Sequence, residues 1–165
     1  WTIAKRLLQQ ERDGIGASLG AGNIGGAATV PTVIDAAKTN VGLDEGGRLA
    51  DPDLRRRVTE HLMENRAFQL TVRRQQDEAK AGNGPSNLAA AIKYAGAKIA
   101  QDRNELVVES LGHQGVGWSG PGFGEGELAA MRSMLRSKAN SIEGGSSEIN
   151  LNVVSKRVLG LPDPK

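Results

Sequence analysis

The segment Ser141-Ile142-Glu143-Gly144-Gly145-Ser146-Ser147-Glu148-Ile149-Asn150 holds the residue types best suited to chemistry in this chain. A double glycine opens onto two hydroxyl residues that can cap a helix start, with Glu148 and Asn150 just beyond. The unpaired N–H groups of a helix start, and the positive end of its dipole, suit an anion or a polar ligand edge. Glycines let the backbone approach such a ligand closely. The same residues also make an ordinary turn between two helices, and the pattern alone leaves both readings open.

Other candidates are weaker. Gly20-Ala21-Gly22-Asn23-Ile24-Gly25 fits G-x-G-x-x-G, and Asp44 stands about 20 residues further on, as a dinucleotide site asks. That fingerprint must follow a hydrophobic strand, whereas Gln9 to Leu19 begin polar and helix-like and end broken by glycine. The dinucleotide reading is therefore set aside. Neither His61 nor His113 belongs to a metal-ligand spacing, so no metal site is expected and both are read as surface or satisfied structural histidines. The absence of cysteine removes thiolate ligands, a thiol nucleophile and disulfides, and fits a reducing interior, with the cytoplasm as the expected location. A sequence pI of about 9.1 and the runs Arg55-Arg56-Arg57 and Arg73-Arg74 raise a nucleic-acid partner. The net charge is only +2 and the basic residues are dispersed, so these runs are read as solvated helix shoulders and no nucleic-acid role is expected.

The elements that must position these residues read as helices. In 165 residues, 38% are hydrophobic and only 3% aromatic, which favours one domain of packed helices over a sheet. Trp1, Ile3, Ala4, Leu7 and Leu8 already fall near helical spacing, so the natural start is expected upstream. A helix from Thr2 to about Arg12 is followed by Gly14, Gly16, Gly20, Gly22, Gly25 and Gly26, where helix is costly, and this stretch is expected to be weak, kinked or mobile. Helix resumes over Val30 to Lys38, and Gly42 to Ala50 is a connecting loop. Asp51-Pro52 is an N-cap and first-turn pair, opening a stripe of Leu54, Val58, His61, Leu62, Asn65, Phe68, Leu70 and Val72 that runs to about Ala81.

Gly82-Asn83-Gly84-Pro85 stops that helix, and Ser86 or Asn87 caps the next, whose stripe of Leu88, Ala91, Ile92, Ala95, Ile99, Leu106 and Val107 ends near Leu111. The glycines from Gly112 to Gly126, with Pro121, make a long loop or turn. Glu127 to Ser141 is helical with Leu128, Met131, Met134 and Leu135 inward, and Ser146 to Val158 closes the fold with Ile149, Val153, Val154 and Val158 buried. The expected class is all-α, an up-down four-helix bundle with extra short helices. No apolar run approaches the roughly 20 residues of a membrane span, and the front has no signal-peptide pattern, so a soluble domain is expected.

Met134-Leu135-Arg136, the segment from Ser141 to Asn150, and Arg157-Val158-Leu159-Gly160-Leu161-Pro162 together resemble the C-terminal signature of acyl-CoA dehydrogenases. More loosely, the resemblance runs from Trp1 and the Glu11-Arg12 pair through the bundle helices, so residues 1–165 are read as that family's C-terminal helical domain. It implies that the family's N-terminal helical and middle β-domains lie outside this chain. It also implies a flavoprotein carrying FAD, in which a glutamate takes the α-proton of an acyl-CoA thioester and the β-hydrogen leaves as hydride to the flavin. The product is a trans-2-enoyl-CoA, as in β-oxidation of fatty acids or other lipids. Electron-transfer flavoprotein or a similar acceptor, and a homo- or hetero-tetramer formed through the helical bundle, are the implied partners. The chemistry is consistent, because so weakly acidic a C–H needs a carboxylate in a dry pocket and a cofactor that accepts hydride.

Many members of the family carry the glutamate at the position of Gly144, which has no side chain and is at most substrate-proximal. A smaller set, including isovaleryl-type and long-chain enzymes, places it early in the first bundle helix just before an arginine. Glu11 stands there, next to Arg12, and the resemblance implies Glu11 as the catalytic base. Arg12 either holds the carboxylate and the nearby helix end or is a surface arginine. Glu143 adjoins the commoner position, but one residue along a helix end turns a side chain by roughly 100°. Ser146, Glu148 and Gly145 match cofactor-binding positions, Ser146 as hydroxyl donor and Glu148 near the adenosine portion. Two other flavin contacts are altered: Arg-x-x-Phe-Gly has no clear counterpart around Arg48, and the usual Gln-x-x-Gly-Gly-x-Gly reads Glu109-Ser110-Leu111-Gly112-His113-Gln114-Gly115. Such contacts reach across a subunit boundary in the family. The alternative is therefore a non-catalytic or partner subunit of a hetero-oligomer, as among steroid-degrading relatives, and the isolated domain is expected to be inactive.

Overall fold

Helix starts in this chain are fixed by short-range capping. Thr32 Oγ1 accepts the Asp35 N–H at 3.1 Å and donates to the Asp35 carboxylate at 2.6 Å, which opens α2 (Val33–Asn40). Asp51 Oδ1 accepts the N–H groups of Asp53 and Leu54 at 2.9 and 3.0 Å, with Pro52 in the first turn of α3 (Pro52–Lys80). The Glu127 carboxylate reaches back to the Gly124 N–H at 2.7 Å at the start of α5 (Glu125–Ser137). Ser146 Oγ accepts the Ile149 N–H at 3.4 Å and opens α6 (Ser147–Val153), which runs on as a π-helical turn over Val154–Val158. The remaining helices are α1 (Thr2–Gly20) and α4 (Ala89–Leu111), and 3-10 turns follow at Gly112–Val116 and Lys138–Ser141.

The computed structural model describes residues 1–20, 30–82 and 88–162, except the side chains of residues 9, 12, 13 and 15–20. Among the described residues there is no strand beyond one isolated antiparallel bridge, Leu43 to Leu49, so the class is all-α as expected. Four expectations are corrected. Helix α1 continues to Gly20 instead of failing after Arg12, because a glycine costs only about 1 kcal/mol while the hydrogen-bond ladder goes on. Helix α2 starts after Thr32, not at Val30, since Thr32 supplies the cap and Pro31 lies before it. Helix α5 begins at Glu125 and tightens to 3-10 after Ser137. Leu135, Ile149 and Val158, expected inward, are 50%, 54% and 39% exposed. The glycines beyond Gly20 as far as Gly26 and the caps at Ser86 or Asn87 lie outside the described residues.

The chain divides into two compact units. The unit of Gly25–Asn65 and Ile99–Lys138 has the apolar core: Val33, Ala36 and Ala37 of α2 meet Leu54 and Val58 of α3, Leu106, Val107 and Leu111 of α4, and Ala130 of α5. Each is under a tenth exposed, at spacings of three and four that put them on single helix faces. Gly112 and Gly115 seat the turn after α4. Gly112 has φ +55°, and a β-carbon on Gly115 would stand 2.3 Å from the Val108 carbonyl oxygen. The described part of Trp1–Ile24, Arg66–Lys98 and Ala139–Lys165 forms the other unit, whose buried positions include Phe68, Ala90, Ile92, Lys93 and Ala97, together with Asn140 and Asn150.

Candidate functional site

In that second unit the double glycine is a left-handed turn, with φ +65° at Gly144 and +94° at Gly145, a conformation that side-chain-bearing residues adopt at a cost. The turn is held from both ends. Gly144, which is buried, donates its N–H to Glu11 Oε1 at 3.3 Å, joining residues 133 positions apart. The Gly145 carbonyl accepts Lys93 Nζ at 2.6 Å and the Asn150 side-chain amide at 2.8 Å, and that amide also reaches the Ser146 carbonyl at 3.0 Å. Lys93 and Asn150 are both fully buried. Glu11 itself is exposed. The arrangement places the Glu11 carboxylate beside a two-glycine turn that carries no side chains.

The other sequence-derived candidates sort around this point. The Arg12 side chain lies outside the described residues. Glu143 immediately precedes the turn, and its N–H is spent on the Ala139 carbonyl at 2.9 Å. Ser146 caps α6. Glu148 is exposed, its carboxyl held below the usual range by its own backbone N–H and then by the Ser146 hydroxyl, with the Lys93 charge assisting. Lys93 was not legible as part of a site. Its one trace is a charged residue directly after Ile92 in a run of alanine and isoleucine, where a solvated lysine is the usual outcome.

In the core-bearing unit the departures from the family pattern acquire partners. Glu109, which the sequence resemblance sets at a glutamine position, makes two hydrogen bonds of 2.6 Å each with the Arg57 guanidinium. Asp44 accepts the Arg48 N–H at 2.9 Å and its Nε at 3.1 Å, and the backbone N–H of Arg48 is the chief cause holding its carboxyl below the usual range. Arg48 and Asp44 thus close the Gly42 to Ala50 turn. The helix running to Gly20 also denies the glycine fingerprint its preceding strand, and the rest of that motif lies outside the described residues.

Arg56 pairs with Asp53 and Glu60, as expected of a solvated shoulder. His113 is exposed. His61 is 6% exposed and its Nδ1 has no partner among the described residues, so it is structural but not satisfied as expected. It lines a cavity of about 200 Å³ with Glu60, Glu64 and Asp102, and burial pushes its imidazole below the ordinary value, with Asp102 opposing. No group of side chains among the described residues could hold a metal ion, and no helix among them is long and apolar enough to cross a membrane.

Comparisons with known proteins bear on the family and the fold. The acyl-CoA dehydrogenase IpdE1 of Mycobacterium tuberculosis is 28% identical over 163 residues, covering 98% of this chain and 38% of that protein. The chain therefore spans about two fifths of the curated relative it matches. Among solved structures, a variant of the Tcur3481-Tcur3483 steroid ACAD superposes with a TM-score of 0.70 at 22% identity, over 99% of this chain and 40% of its own. The ChsE4-ChsE5 complex from Mycobacterium tuberculosis gives a TM-score of 0.62 at 21% identity, over 81% of this chain and 34% of its own. At these identities the likeness shows the fold, the helical one expected from the sequence. The family model described as acyl-CoA dehydrogenase, C-terminal domain, matches residues 1–159, and the chain belongs to the acyl-CoA dehydrogenase family.

Proposed function

We propose that this chain is the C-terminal domain of an FAD-dependent acyl-CoA dehydrogenase in which Glu11 removes the α-proton of an acyl-CoA thioester. The observation that carries this reading is the 3.3 Å contact between Glu11 Oε1 and the Gly144 N–H. It sets the carboxylate of one family position beside the bare backbone of the other, where a glutamate would otherwise stand. On this reading the side chain missing at Gly144 makes way for the acyl chain, and the Gly144 N–H donates to the carboxylate. Glu143 is the weaker candidate, because its place before the turn is not the one the family uses.

The residues present fit one edge of FAD, since the turn at Gly144 and Gly145 carries no side chains and the Ser146 hydroxyl stands beside it. Ser146, Gly145 and Glu148 are the residues that would meet the cofactor. When bound, FAD supplies the hydride acceptor that makes α,β-dehydrogenation to the trans-2-enoyl-CoA complete. Glu11 is exposed in this chain, so the water-free pocket must come from further segments or subunits, and these residues alone are expected to be inactive.

A second reading rests on Glu109. Its carboxylate, at the place of the family's flavin-contacting glutamine, is committed to Arg57, which favours a chain that serves as partner subunit in a hetero-oligomer. One of the structural relatives is itself a complex, ChsE4-ChsE5. Bound flavin per subunit and acyl-CoA-dependent bleaching of the flavin in the complete natural protein separate the two. Full occupancy with bleaching supports the enzyme reading, whereas a flavin-poor protein that gains both only with a co-expressed partner supports the other.

A further inference from the structure

The geometry points to Lys93 as a positioning residue for Glu11, a role that rests on the reading of Glu11 as the base. Lys93 has no exposed surface, and its ammonium meets the Gly145 carbonyl at 2.6 Å. Burying an ammonium is costly, and a well-packed apolar side chain of similar volume is often as stable or more so. Anchoring that carbonyl does not by itself require a charge, because the neutral Asn150 amide already donates to it at 2.8 Å. Besides attracting the Glu148 carboxylate, the ammonium adds a charge-assisted bond to a turn whose two residues sit in left-handed backbone, at φ +65° and +94°.

That turn has few means of its own to keep its shape, since glycine is permissive on both sides of φ zero. With the Gly145 carbonyl pinned, the Gly144 N–H two peptide planes earlier is aimed at Glu11 Oε1. A loosened turn lets both the N–H and the carboxylate it orients drift from the reacting carbon. Lys93 touches neither substrate nor flavin in this scheme. It acts through the Gly144–Gly145 backbone.

The experiment uses the complete flavoprotein, with any partner subunit it needs, and compares Lys93→Met, Lys93→Gln and Glu11→Gln in acyl-CoA-dependent flavin reduction. For Lys93→Met the expected result is a fall in kcat of about ten-fold to a hundred-fold with KM within about twofold, the mark of misplaced geometry. Lys93→Gln, which keeps a donor, recovers part of that loss. Hydrogen exchange of the amides around Gly144 to Ser146 quickens in Lys93→Met while the melting temperature holds.

A Lys93→Met protein that binds flavin and keeps its kcat overturns the proposal, as does failure of both Lys93 variants to fold, which assigns the residue to stability. If Glu11→Gln abolishes flavin reduction while Lys93→Met does not slow it, the positioning role alone falls. If Glu11→Gln still reduces flavin, the base reading falls and takes this proposal with it.

Discussion

Gly115→Ala places one methyl group against a backbone that cannot rotate away. The new β-carbon would lie 2.3 Å from the Val108 carbonyl oxygen, 3.1 Å from its carbonyl carbon and 3.2 Å from Leu111 Cβ. Relief requires moving the turn after α4, or the end of α4 itself, by about 1 Å to restore ordinary contact. Val107 and Leu111, beside the clash, are core residues at 1% and 8% exposure, so the shift loosens the whole apolar cluster. Overpacking of this kind costs about 1–3 kcal/mol. Alanine returns part of that, about 0.4–1 kcal/mol, by restricting the unfolded chain. The net loss is about 1–2 kcal/mol, roughly a five- to thirty-fold drop in the folding equilibrium.

Guanidinium denaturation followed by circular dichroism reads this as a lower midpoint at unchanged slope. Gly122→Ala is the control, because nothing lies within 4 Å of its β-carbon position, and it is expected to stay within about 0.5 kcal/mol of the parent. A Gly115→Ala midpoint indistinguishable from the Gly122→Ala midpoint refutes the account of this turn.

Asp51→Ala removes the acceptor for the Asp53 and Leu54 N–H groups and is expected to cost about 1 kcal/mol in the same assay. Glu109→Gln exchanges a part-exposed ion pair for a neutral contact, so stability changes by less than about 1 kcal/mol, while flavin retained per subunit rises if the partner-subunit reading is correct. His61 is held below its ordinary imidazole value by burial, so the unfolded chain takes up the proton first as the pH falls below about 6.5. Its contribution to stability is therefore present at neutral pH and lost on acidification. The melting temperature of His61→Leu is expected to fall less steeply between neutral and mildly acid pH than that of the parent, and parallel curves count against this.

Helix boundaries governed by neighbours were legible in the sequence. Asp51-Pro52 and Ser146 carry their cap chemistry within a few residues, and Gly82, at φ +81°, ends α3 where a left-handed residue was needed. The glycines after Arg12 misled, because a local penalty of about 1 kcal/mol does not decide whether a helix already under way continues. Apolar side chains on the later helices misled in another way: Leu135 and Ile149 have helical spacing, yet burial depends on what stands opposite, and composition does not record that. The candidate site shows the same limit. The Gly144-Gly145 turn and the Glu11-Arg12 pair were visible as motifs, while the approach of Glu11 to Gly144 across 133 residues and the burial of Lys93 belong to the tertiary fold.

The most direct test of the central claim is the rate at which acyl-CoA reduces the flavin in the complete protein carrying Glu11→Gln, beside Glu143→Gln. Glu11→Gln is predicted to bind flavin and acyl-CoA yet leave the flavin oxidised, with Glu143→Gln close to the parent. Flavin reduction surviving in Glu11→Gln and lost in Glu143→Gln would contradict the assignment.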